Sequence, residues 1–140
     1  MPYSFHFDAA NRIVLIQFTG SVTDELLTEF HHEGGRRAFA SLEFTGSITD
    51  FSNISSFEVT PETIRTLAWE EPIDPESWRR SRVIVAPEPH VFGLYRIFAS
   101  HGADTRPNLH VVRSLEHAYA ILSVVNPKFE SMGELGATMS

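Results

Sequence analysis

Asp50 and Ser52 stand at the end of a segment, Ser47-Ile48-Thr49-Asp50-Phe51, that reads as a strand ending in Ser52-Asn53. A carboxylate and a hydroxyl at a strand end can bind a ligand or a partner. The carboxylate can equally accept backbone hydrogen bonds and hold its own loop, which is the commoner use. That loop, Ser52–Thr60, carries two further hydroxyls, Ser56 and Thr60. Thr60 precedes Pro61-Glu62, the pattern of a helix cap, so its oxygen has a structural use first. The second cluster is Pro87–Arg96, with Phe92, Gly93, Tyr95 and Arg96. Arg96 lies one turn beyond Phe92. Its guanidinium would clamp a carboxylate or phosphate held near the helix start, or else pair with an acid such as Glu88. Glycine inside a helix costs about 1 kcal/mol relative to alanine, so Gly93 needs a local reason. Either a ligand or partner backbone approaches there, or the helix packs closely on a sheet, the more frequent reason. Phe92, Tyr95 and Phe98 have core spacing first and pocket-lining potential second.

Catalytic signatures are absent. There is no Gly-x-Ser-x-Gly elbow, phosphate loop, His-Glu-x-x-His or dinucleotide glycine fingerprint. His31 and His32 are adjacent, point about 100° apart on a helix, and with Glu33 read as a solvated patch. His90, His101, His110 and His117 show no metal-ligand spacing, and no cofactor is implied. Glu70-Glu71 lies in a polar loop where nothing would raise a pKa. A small hydrolase or transferase would need a cleft bringing Asp50, Ser52 or His90 within hydrogen-bond reach. Trp69 and Trp78 flank the polar loop, as partner-facing residues or, more commonly, as core-edge packing.

These residues need a scaffold, and 140 residues make one domain. A chain of this size buries roughly two-thirds of its unfolded surface. The formal charge of −7 argues against non-specific nucleic-acid binding and against adsorption to anionic lipid. No cysteine is present, which excludes disulfides, thiolate zinc sites and a cysteine nucleophile. No apolar run approaches a membrane span, and Met1-Pro2-Tyr3-Ser4 lacks the features of a signal peptide. The expectation is a cytoplasmic protein.

Tyr3–Phe7 alternates apolar and polar residues and Arg12–Phe18 is almost continuously apolar, predicting an antiparallel hairpin about an Asp8–Asn11 turn. Ser21 or Thr23 caps a helix through Val22, Leu26, Leu27 and Phe30, which Gly34-Gly35 stops. A second short helix is expected through Phe39 and Leu42. Further helices follow Thr60 and Pro89, and Ser114 caps Leu115–Val125, whose Ala118, Ile121, Leu122 and Val125 should face inward. Arg82–Ala86 and Leu109–Val112 read as strands. The prediction is a single α/β (α+β) domain over residues 1–125, a mixed sheet of about five strands covered by helices, with 126–140 as a mobile tail. Ligands and partners usually meet the carboxyl ends of strands in such sheets. That singles out Ser52–Thr60 and Pro87–Val91.

Three segments together resemble the SpoIIAA-like branch of the STAS-like proteins, small bacterial domains also compared with CRAL-TRIO lipid carriers. They are Thr49–Ile54, then Arg82–Pro87 with Phe92-Gly93-Leu94-Tyr95-Arg96-Ile97-Phe98, then Val111–Glu116 with Ala118. The likeness runs from about Arg12 to Leu122. It implies a mixed sheet with helices, no cofactor, often a homodimer, and anti-sigma-factor antagonism or small-molecule binding. The founding antagonists carry an Asp-Ser-Ser-Gly stretch whose first Ser is phosphorylated. Aligned on Asp50-Phe51-Ser52, that stretch falls at Glu58-Val59-Thr60-Pro61, where Val59 has no hydroxyl to modify. The functional expectation is a non-enzymatic domain binding an amphipathic or anionic small molecule, or a partner protein, through Ser52–Thr60 and Pro87–Arg96. The alternatives are an anti-sigma-factor antagonist and a small hydrolase or transferase using Asp50, Ser52 and His90.

Overall fold

A computed structural model describes residues 2–34, 43–70, 80–101 and 107–132. The elements run β1 (Tyr3–Asp8), β2 (Ile13–Thr23), α1 (Asp24–Glu29), a π-helical turn (Phe30–Gly34), β3 (Gly46–Glu58), α2 (Pro61–Trp69), β4 (Ser81–Val85), α3 (Pro89–His101), β5 (Leu109–Val112), α4 (Leu115–Leu122) and β6 (Glu130–Ser131). The strands form one mixed sheet in the order β5-β4-β3-β2-β1-β6. β2 to β5 pair in parallel, while β1 is antiparallel to both β2 and β6.

Parallel strands need cover on both faces, and the side chains divide accordingly. Val14, Ile16, Phe18, Phe51 and Ile84 point into the larger core with α1, α2 and α3. Ile13, Leu15, Ile48, Val83 and Val85 point into the smaller core under Ala118 of α4. Each such burial contributes roughly 1.5–3 kcal/mol, which is why these segments read as continuous apolar runs.

The structure corrects the expected elements in four places. β2 and β3 run past the rest of the sheet as a two-stranded ribbon, so Ser52–Glu58 is strand and not loop. Val22 is fully buried and Ile54 and Phe57 pack against the larger core, so burial continues along the ribbon. Register shifts near Gly20 (φ +74°), where only glycine is unstrained, absorb its twist. Thr23, not Ser21, caps α1, accepting from the Leu26 N–H at 3.2 Å. Second, α4 stops at Leu122 because Ser123 turns left-handed (φ 57°), leaving Val125 80% exposed instead of inward. Third, residues 126–132 are docked: Glu130–Ser131 adds a sixth strand to β1, and the Phe129 ring lies 6.3 Å from that of Tyr119. A two-residue polar strand leaves no hydrophobic pattern to read. Fourth, Trp69 is exposed rather than packed at the core edge, its ring 5.6 Å from that of His101. The expected Phe39–Leu42 helix, Trp78 and residues 133–140 lie outside the described residues.

Asp8 ties the hairpin to the returning chain. It is 1% exposed and accepts from the Asn11 side chain (2.7 Å) and from the backbone N–H groups of Ala10, Asn11 and Lys128. Burial alone would raise its pKa, but these hydrogen bonds outweigh burial and hold the carboxyl below its ordinary value. A depressed folded-state pKa stabilises above the unfolded value near 3.9 and loses that contribution as pH falls through the folded value. Asp8→Ala should therefore lower stability by about 2–3 kcal/mol at pH 7 in urea denaturation, a gap that shrinks below about pH 4. A gap independent of pH would contradict this assignment.

Candidate functional site

At the carboxyl end of the central strands, Asp50 is 1% exposed and faces the α4 side. Its Oδ1 accepts from both the backbone N–H (2.9 Å) and the hydroxyl of Ser52, and its Oδ2 from Gln17 Nε2 at 3.3 Å. Burial, and after it the Asp50 charge, push the Tyr119 hydroxyl up. Asp50 thus fixes the β3 backbone where its register with β2 shifts, inside a continuous strand and not in the expected loop. The structure brings Asp50 and Ser52 together but not His90. That imidazole stands at the α3 start, 6.4 Å from the Phe57 ring. A carboxylate accepting both groups of one serine pins the backbone at that irregularity in β3.

Ser56 and Thr60 lie on the ribbon and at its end. Ser56 shares a 2.8 Å hydrogen bond with Ser21 across the two strands, and its hydroxyl also donates to Glu58. Thr60 Oγ1 accepts from the Thr63 N–H and caps α2, as expected from Pro61-Glu62. The Thr60 N–H and hydroxyl both donate to Asp24, at 2.8 and 3.3 Å. A phosphate on Thr60 would meet that carboxylate, a like charge. Val59, at the position aligned with the phosphorylated serine, is buried.

The start of α3 departs most from expectation. Glu88 caps it, its carboxylate accepting from the N–H groups of His90 and Val91 at 3.3 Å each. The helix start therefore already holds an anion, and a second one there would be repelled. Glu88 is committed to this cap, so the alternative of a Glu88–Arg96 ion pair is not realised. Arg96 is exposed, lies 6.0 Å from the Phe92 ring and has no acidic partner among the described residues. The Arg113 guanidinium lies 5.5 Å from the same ring and donates to Pro87 O at 2.9 Å. Phe92 is half-buried and has both guanidinium groups beside it.

Tyr95 is not part of the surface. It is 1% exposed, with its ring 5.2 Å from Phe51 and 5.6 Å from Phe98. Burial pushes its hydroxyl up, and the Arg82 charge opposes this more weakly. Gly93 is not a close-packing glycine: it is exposed, and a Cβ built on it meets nothing within 4 Å. His32 and Glu33 are exposed, as the solvated-patch reading expected, and His32 pairs with Glu70 at 2.7 Å, but His31 is half-buried with its ring 5.5 Å from Phe98. Sequence reasoning missed the capping role of Glu88 and the contacts of Arg113 and Asp24. An acid directly before Pro89 was the available signal for Glu88. The other two act across distant elements and leave none.

This arrangement is a STAS-like α/β domain in architecture. A solved structure of the anti-sigma factor antagonist SpoIIAA in its unphosphorylated form shares the fold, with a TM-score of 0.57 and 15% identity over 89% of this chain and 99% of that one. A structure of the Bacillus cell fate determinant SpoIIAA in the phosphorylated form matches at a TM-score of 0.46 and 13% identity, over 84% of this chain and 96% of that one. No family model and no curated protein matches the chain. The SpoIIAA-like resemblance read from the three sequence segments therefore holds at the level of fold.

Because nothing fills the space over Gly93, Gly93→Ala should stabilise the isolated protein by about 0.5–1 kcal/mol. Thermal unfolding should show this as a rise of about 2–4 °C in Tm. A fall in Tm would mean that the glycine is needed for packing after all.

Proposed function

We propose that this protein is a non-enzymatic regulator that docks a partner protein of the anti-sigma-factor class on the α3 start. The observation that carries this reading is the bare Gly93 beside half-buried Phe92. The exposed face of α3 keeps a residue that weakens the helix, with open space above, where a partner's backbone can approach closely. The SpoIIAA fold supports the choice of partner, since SpoIIAA is an anti-sigma factor antagonist. A lipid-like or anionic small molecule fits this end less well. Beneath it the Phe18, Phe57 and Tyr95 rings each lie against Phe51, and the Glu88 carboxylate occupies the helix start. With Val59 in place of a hydroxyl and Asp24 beside Thr60, docking on this reading is not switched by phosphate at the α2 start. A homodimer is the expected working unit, and native mass spectrometry reads the subunit number directly.

The test mixes the purified full chain with purified anti-sigma factors from the same organism, measured by calorimetry. One of them should bind, Phe92→Ala should weaken that complex by about tenfold or more, and Gly93→Arg should abolish it. Lys128→Glu, exposed near β6, should leave it unchanged. Failure of every anti-sigma factor to bind, or a complex indifferent to Gly93→Arg, would overturn the proposal.

A further inference from the structure

The free edge of the sheet carries features that this docking surface leaves unused. Among the described residues, β5 is bonded on one side only, to β4. The N–H groups of Arg82 and Ala86 donate to the carbonyls of Asn108 and Val112 at 2.9 Å each, which turns the even-numbered residues of β5 toward β4. Strand alternation then turns the N–H and C=O groups of Leu109 and Val111 outward. An open groove of about 400 Å³ follows this edge, lined by Arg96 and Ser100 of α3, the strand Leu109–Val112, and His117 and Ile121 of α4. The helices cover opposite faces of the sheet, so Arg96 and Ser100 flank the edge on one side. His117 flanks it on the other, together with His110, which shares its face with Val112. Every polar side chain in this lining can donate a hydrogen bond, and no carboxylate is among them. On a chain of net charge −7, that sets the groove apart.

We infer that the β5 edge seats an extended acidic segment of a partner protein as an added strand. The segment's main chain pairs with Leu109 and Val111. Its carboxylates meet Arg96 on one face and His110 and His117 on the other. Because successive residues of a strand point to opposite faces, the recognised segment carries two adjacent acids, not two acids separated by one residue. The four-residue length of β5 limits the seat to a short segment. A second copy of this chain fits less well, since it would set donors against donors. The seat uses neither Phe92 nor Gly93, so this inference and the docking reading fail independently.

The experiment titrates the nitrogen-15-labelled full chain with a capped synthetic peptide, Thr-Val-Thr-Glu-Glu-Thr-Val-Thr, and with the same peptide carrying Lys-Lys at its centre. The largest amide shifts should fall on Leu109 and Val111, with the Lys-Lys peptide and the His117→Glu variant each about tenfold weaker or worse. Val111→Pro removes an outward N–H without touching a bond to β4 and should abolish binding. If that variant does not fold, His117→Glu carries the test. Equal affinity for both peptides, no binding, or shifts away from β5 would overturn the inference. So would sodium phosphate alone reproducing the peptide's affinity, which would make the groove a small-anion site. A dimeric chain that Val111→Pro renders monomeric would also overturn it, with a second copy as the occupant.

Discussion

Four parallel strands that must be covered on both faces dictate most of this molecule. Hydrogen bonding along β2 to β5 leaves two apolar surfaces, one closed by α1, α2 and α3, the other by α4. A parallel neighbour can be reached only by a crossover back along the sheet, so the helix that follows each strand begins at that strand's carboxyl end. The same constraint that fills the cores with Ile48, Val83 and Val85 therefore gathers the helix starts at one end of the sheet.

What that end presents follows from how the helix starts are satisfied. Thr23, Thr60, Glu88 and Ser114 each supply an oxygen to the first N–H groups of their own helix. Those donors are taken by oxygens of the chain itself, and aromatic rings fill the space beneath. Phe92, Gly93 and Arg96 remain outward on α3. On the proposed reading, the end of the sheet offers a partner protein shape and an open approach over Gly93.

The strands buried on both faces were legible because a short, unbroken apolar run between breakers, such as Arg82–Ala86, suits a strand with no solvent face. The caps at Thr60 and Ser114 followed from local chemistry. The three segments of family likeness pointed to the same fold. The site was legible only in part. Asp50 and Ser52 do meet, but Asp50 turns to the α4 face, Arg96 lies on the α3 side along β5 and Tyr95 turns into the core, which alternation and helix phase decide only once the register is known. The ribbon through Ser56 was invisible because glycine and serine hide the strand period. The reason for Gly93 needs the space around it, which no sequence records.

Hydrogen–deuterium exchange of the full chain, alone and with a bound anti-sigma factor, tests the central claim most directly. Added protection should concentrate at the start of α3, from 89 to 96, and leave β6 and the β1–β2 turn unchanged. Protection confined to that opposite edge of the sheet, with α3 exchanging as before, would contradict the account.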